Sequence, residues 1–345
     1  MKRLGRIGVL LLAFALLMGS MLLLASCFFF GGNEPYKFTY DAPEKYTAGD
    51  TVIDDLSENK NLHIRWYQGK VTVRTHDEPT ILIEETLNKE VEDKYRVHWW
   101  YSPTQSLGTT TFIEFSASEE LDFEGITKDL TVTIPRTANI SISVSGYDLD
   151  ADIDVSDYQN TLRKFSFSTE TGSLNARIDS ADTVQISGYN EDEGDAENRI
   201  FALTATGRVS WLGMNSSYAK IKADLNRVDS MDTIGSAFAD TEFSCREAKD
   251  IKILGKDGKI TVTAPIFDSI EVTTYLGETV LNLAQDAAFS LAVSEEVNYE
   301  ETDIFSVAVN YEGVRQENGK YIVGDGTKPI AVKTAGVLTV NPIHS

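Results

Sequence analysis

Beyond residue 55, apolar and polar residues alternate with period two, and no helical period is sustained. Leu62-His63-Ile64-Arg65-Trp66 runs to Gly69 and on to Val71-Thr72-Val73. The same phrase returns as Phe165-Ser166-Phe167 leading to Gly172, as Ile251-Lys252-Ile253 leading to Gly258, and as Ile270-Glu271-Val272 leading to Gly277. Phe201-Ala202-Leu203 and Ile330-Ala331-Val332 reach Gly207 and Gly336 one residue sooner. This alternation predicts short half-buried strands, with glycine at corners where a positive φ costs that residue nothing. A strand pair of this size cannot bury its own apolar face, whereas a stack of such pairs can. The expected fold is therefore all-β: a single-stranded β-solenoid, or β-helix, of stacked short strands with glycine corners and an elaborated C-terminal cap. A β-sandwich is the alternative, because it too gives short strands with glycine turns. From Gly172 the corners are expected at Gly207, Gly235, Gly258 and Gly277, the longest step holding the acidic insert 190–198. Ser294 to Lys320 departs from the pattern and reads as a hairpin or cap.

The phrase around Gly69, then Leu130-Thr131-Val132-Thr133-Ile134-Pro135 leading into Ile140-Ser141-Ile142-Ser143-Val144, then the serial strand–glycine–strand units, resemble the bacterial putative-adhesin family (DUF4097-type, toast-rack domains). The resemblance covers about residue 52 to the end. It implies a stacked β-solenoid at the cell envelope, with some relatives in envelope-stress signalling, and it implies no active site. Three parts are expected: a leader over 1–26, a tether over 27–51, and the solenoid over 52–345. Within the last, first strands occupy 52–135, main rungs 136–290, and the cap with the last rung 291–345.

The amino terminus has the order of an export signal: Lys2, Arg3 and Arg6, then an apolar run to Leu24. Leu24-Ala25-Ser26-Cys27 resembles the bacterial lipoprotein lipobox, which implies cleavage before Cys27 and a diacylglycerol anchor on its sulfur. No charge falls between Arg6 and Glu34, so an uncleaved membrane helix over 7–30 is the other reading. Both readings leave the basic end in the cytoplasm and the body outside, at the cell membrane.

Charge narrows the partners. The chain has 31 basic and 53 acidic residues, a net of −22. Residues 1–26 carry three basic residues and no acidic one, so their removal leaves −25. A field of that sign repels phosphate backbones, which excludes nucleic acid. Two cysteines, Cys27 and Cys245, support neither a disulfide framework nor a zinc cluster. No HExxH, CxxC or GxSxG occurs. Asp148, Asp150, Asp152 and Asp154 fall on one face of a predicted strand and form a candidate calcium site, weighed against a solvated outer face. Trp66, Trp99, Trp100 and Tyr101 are a candidate platform for a sugar ring or peptide, weighed against core positions.

These features point to a non-catalytic adhesion or binding scaffold with no cofactor beyond its lipid. Its partners would be the membrane through the anchor and an envelope protein, glycan or cationic peptide. Envelope-stress sensing by peptide capture, and less so a polysaccharide-processing β-helix, are the other functions considered.

Overall fold

The computed structural model describes residues 47–54, 59–104, 108–115, 123–188, 199–294 and 305–343. They belong to one compact unit spanning 42–115 and 123–345. The fold is all-β, with a single 3-10 turn at Asp93–Tyr95 among the described residues. Cys27 and the leader, the insert at 190–198 and His344 lie outside them.

The central strands alternate as their sequences predict. In β9 (Ser141–Gly146) Ile142 and Val144 point inward, and in β10 (Asp148–Val155) Leu149, Ala151, Ile153 and Val155 do. Each rung gives one strand to each of two parallel sheets. β9, β11 (Leu162–Thr169) and β13 (Ala181–Gly188) stack in the first sheet; β10 and β12 (Leu174–Ile178) stack in the second. Three long strands, β14 (Ile200–Ser216), β15 (Lys220–Ser236) and β16 (Thr241–Leu254), turn the edge and serve both sheets. Then β17 (Ile260–Ala264) and β19 (Glu278–Ala284) continue the second sheet, and β18 (Ile266–Thr273) the first. Two sheets face each other as in a sandwich. Their strands, however, run parallel and alternate between sheets rung by rung, so the molecule is a solenoid.

The core is a set of rows running along the stack. One row in the first sheet is Val144–Phe167–Ile186–Met214–Ile234–Ile253–Val272. Its counterpart in the second is Ile153–Ala176–Leu203–Ala223–Phe243–Val262–Leu281. Phe167 and Phe201 meet edge to face at 5.7 Å. Each fully buried phenylalanine contributes roughly 1.5–3 kcal/mol of burial. Each rung supplies both walls of its slice of the core but leaves that slice open above and below, so stability is shared between neighbours.

Registration corrects the expected corners. Ile234, Ile253 and Val272 are register partners, which makes the regular rung 19 residues. Gly172, Gly258 and Gly277 do share one edge, but Gly207 lies at the opposite edge beside Asp179 and Ser180, and Gly235 near the end of β15. The unequal steps therefore compared different places on the rung. Positive φ explains Gly69 (φ 100°) and Gly277 (φ 99°). At Gly258 the reason is contact, since a Cβ there would come within 2.1 Å of the Ala239 carbonyl oxygen in the next rung.

Both ends are built out of chain order. β3 (Asn59–Trp66) and β4 (Gln68–His76) form the first rung, yet β7 (Gly108–Phe115) and β8 (Lys128–Pro135) stack outside it and β9 and β10 inside. Antiparallel strands close that end: β5 (Ile81–Leu87) on β8, and β6 (His98–Thr104) on β7. Beyond them, β2 (Thr51–Ile53) pairs with β5 and β1 (Thr47–Ala48) with β6. The folded part thus begins by Thr47, inside the expected tether. Two short strands carry too little alternation to register in the sequence.

At the other end β24 (Lys328–Lys333) slots between β18 and β20 (Phe289–Ser294), and β25 (Val337–Ile343) between β19 and β21 (Ser306–Val309). The hairpin β22 (Arg315–Glu317) and β23 (Lys320–Val323) closes antiparallel on β20, in the segment expected to form a cap. Antiparallel closure blunts the edges that a parallel stack would otherwise present for further pairing.

Candidate binding surfaces

The four aspartates of β10 alternate with buried neighbours and project from the outer face of the second sheet. Each accepts a hydrogen bond. Thr171 Oγ1 donates to Asp148 at 3.0 Å, and the Ser173 N–H donates to Asp150 at 3.0 Å. Asp152 pairs with Arg74 on one side and accepts from the Asn175 amide at 3.0 Å on the other. Asp154 accepts from Arg177 at 3.3 Å and from the Ser156 hydroxyl at 2.7 Å. Burial pushes the Asp152 and Asp154 carboxyls up. The Arg74 guanidinium and Asn175 amide at the first, and Ser156 and Arg177 at the second, outweigh it and hold both below the usual carboxylate value. These groups act as cross-rung ties. A cation bound there would have to displace donors already in place.

The sequence-predicted aromatic platform is divided. Trp66 is wholly buried in the core and unavailable to a ligand, because its position in β3 is inward; its Nε1 donates to the Lys128 carbonyl at 3.2 Å. Trp99 packs against the core, and Trp100 is half-buried on the adjacent position of β6. Tyr101 continues β6, where its backbone pairs with Thr111. Two stacked ring pairs, each with one exposed member, lie elsewhere. Tyr67 stacks on Tyr147 at 5.6 Å, and Tyr218 on Phe238 at 4.8 Å with Lys256 Nζ 4.5 Å from the Phe238 centroid, all along the rung edge.

A buried ionic cluster under the N-terminal closure went unnoticed in the sequence. Lys128 Nζ and Glu85 Oε2 lie 3.3 Å apart, with both side chains 0% exposed. Glu85 also accepts from Arg96 and from the Val97 N–H at 2.8 Å; Lys128 donates to the Tyr95 carbonyl at 2.6 Å and sits 5.2 Å from the Trp66 ring centroid. Burial, only partly offset by Glu85, pulls the lysine down to about 8. His98, also buried, is pulled down to about 4 by burial and by Lys128. The signal was available: Glu85 follows Ile81 and Ile83 at period two, and Lys128 precedes Leu130 and Val132 in the same way. Both charges occupy inward positions.

Cys245 is free and buried, and burial pushes its thiol up to about 11, so it stays protonated. It borders a groove of about 530 Å³ with Leu225, Pro265, Ala284, Asp224 and Asp286. His63 is half-buried on the outer face of the first sheet, where burial, Arg65 and Lys164 pull it down to about 4. Groups of three or more potential metal ligands do not occur among the described residues.

No family model matches the chain. No curated protein matches it either. Two solved structures are similar. One is a putative cell adhesion protein from Clostridium sporogenes ATCC 15579, 10% identical, covering 86% of this chain and 100% of that one at a TM-score of 0.30. The other is a putative adhesin from Bacteroides fragilis NCTC 9343, 12% identical, covering 87% and 98% at a TM-score of 0.35. Identity and superposition this low establish neither a shared site nor a shared activity.

Proposed function

We propose that the chain is a lipid-anchored protein of the cell envelope whose solenoid is a non-catalytic scaffold for adhesion or binding. One observation carries this reading: the outer sheet faces are continuous over many rungs, and side-chain ladders tie neighbouring rungs together. Besides the aspartates of β10, Asn310, Asn341, Asn282 and Thr263 form an unbroken amide ladder at 2.8, 3.4 and 3.3 Å. Fixed side chains at strand spacing make a surface that meets a partner without ordering itself first, which lowers the entropic cost of binding. The lipobox-like Leu24-Ala25-Ser26-Cys27 supplies the anchor, and two acyl chains hold a protein stably where one is marginal.

Two measurements test the proposal. Mass spectrometry of the mature protein should find Cys27 at the N-terminus with a diacylglycerol adduct; an intact Met1 would remove the anchor. The purified full-length lipoprotein should co-sediment saturably with envelopes from cells lacking it. Linear, non-saturating association would remove the scaffold reading.

A further inference from the structure

On the outer face of the first sheet, one tryptophan stands apart from those the sequence singled out. Trp211 in β14 is half-buried and points away from the core, which Val209, Leu212 and Met214 fill from the same strand. Its six-membered ring reaches over Gly213. A Cβ on that glycine would lie 2.9 Å from the indole Cη2 and 3.3 Å from Cζ3. The glycine therefore lets the ring settle against the sheet, where a side chain would lift it off.

The surroundings are unusual for so acidic a chain. Gln185 is the register partner of Gly213, and Ser166 of Gln185. Alongside, Asn215 pairs in register with Ser187, and Ser187 with Ser168. These positions offer hydroxyls and amides, although Ser187 is itself buried, and charges border them: Lys164 on the row of Trp211 and Thr183, and the exposed Asp232 on β15. Hydroxyl and amide groups both donate and accept hydrogen bonds. The indole offers a flat apolar face with negative charge density that attracts polarised C–H groups.

We infer that Trp211 and the strip beside it form a binding site for a neutral glycan chain. A sugar ring has an apolar C–H face to lay on the indole and hydroxyls at its rim to exchange hydrogen bonds with Gln185, Asn215, Ser166 and Ser168. Uncharged central rows bordered by one cation and one anion match an uncharged ligand, while the net charge of −25 left after loss of residues 1–26 repels anionic polymers. A peptide added as a strand is excluded here, because β13 and β14 are both paired on both sides. Adjacent strands lie about 4.8 Å apart, so the rows of polar groups repeat across the face on the scale of a saccharide unit.

The site rests on the scaffold reading and names its ligand class. Full-length protein in detergent micelles is titrated with cellohexaose, maltohexaose and chitohexaose, followed by calorimetry and tryptophan fluorescence. At least one should bind, and Trp211→Ala should weaken it tenfold or more with an unchanged thermal melt. Trp211→Phe should retain part of the affinity, and Ile266→Ser, at an exposed position on the rung edge, all of it. No binding by any of the three, or equal binding by Trp211→Ala, overturns the site. Sedimentation velocity adds a further outcome: if Trp211→Ala abolishes a dimer and leaves glycan binding unchanged, the strip is a contact between copies and the site is overturned. Envelope co-sedimentation separates the two claims. Wild-type binding that Trp211→Ala leaves unchanged removes this site alone, whereas no saturable binding removes the scaffold as well.

Discussion

Removing the Glu85 carboxylate should loosen the N-terminal closure more than any single exposed substitution on the solenoid. At 3.3 Å and an effective dielectric of about 20, the Lys128–Glu85 attraction is roughly 5 kcal/mol before desolvation is counted. Desolvating both ions offsets much of this, so the pair adds little net stability over an apolar one. Breaking it is another matter. Glu85→Ala leaves the ammonium of Lys128 buried without its carboxylate counter-ion, though still against the Tyr95 carbonyl and the Trp66 ring, and leaves the Val97 N–H without its acceptor. The expected cost is about 3–5 kcal/mol. Lys128→Met should cost less, because Glu85 keeps Arg96 and the Val97 N–H. The double replacement Glu85→Leu with Lys128→Met should recover most of the loss. Because a solenoid opens locally, hydrogen exchange of the Val97 and β5 amides is the appropriate assay, with urea melts reporting the rest of the stack. Additive single costs, or a change below about 1 kcal/mol for Glu85→Ala, would refute the buried-pair reasoning.

Acid should open the same end. His98 and His63 are each held at about 4, below the ordinary 6.5. Their stabilisation is complete above pH 6.5 and is lost as pH falls through 4; His98→Gln should flatten that part of the exchange profile. Lys128 acts in the other window: with its value lowered from 10.5 to about 8, its contribution to stability should rise between pH 8 and 10.5, and Lys128→Met should abolish the rise. Gly277→Ala should cost about 1–3 kcal/mol of strain at φ 99°, and more from crowding the Gly258 carbonyl at 2.7 Å. Gly313→Ala, at φ 67° with nothing within 4 Å, should cost less in the same urea melt. Millimolar calcium should leave the melting temperature unchanged, since the β10 carboxylates already have donors; a shift that Asp152→Asn removes would revive the cation site.

Much of the architecture could be read from alternation alone. Inward Ile142, Val144, Phe165 and Phe167, outward Asp148 to Asp154, and the glycine edges at Gly69, Gly258 and Gly277 all followed from period two and a repeated phrase. Gly207 and Gly235 misled because spacing along a chain does not say which edge of a rung a glycine occupies. Trp66 was legible as inward by the same rule that placed Ile64, and the platform reading set that rule aside. The Trp211 strip escaped because its members come from separate rungs, and only the register of β11, β13 and β14 assembles them.

The sequence by itself determined which residues face the dry interior and which face water, because a strand's side chains alternate whatever it pairs with. Tertiary structure alone decided which rung lies against which: that β9 returns beneath β3, that β24 enters between β18 and β20, and that Glu85 meets Lys128. Pairing depends on contacts between strands far apart in the chain, and alternation carries no address for the neighbour.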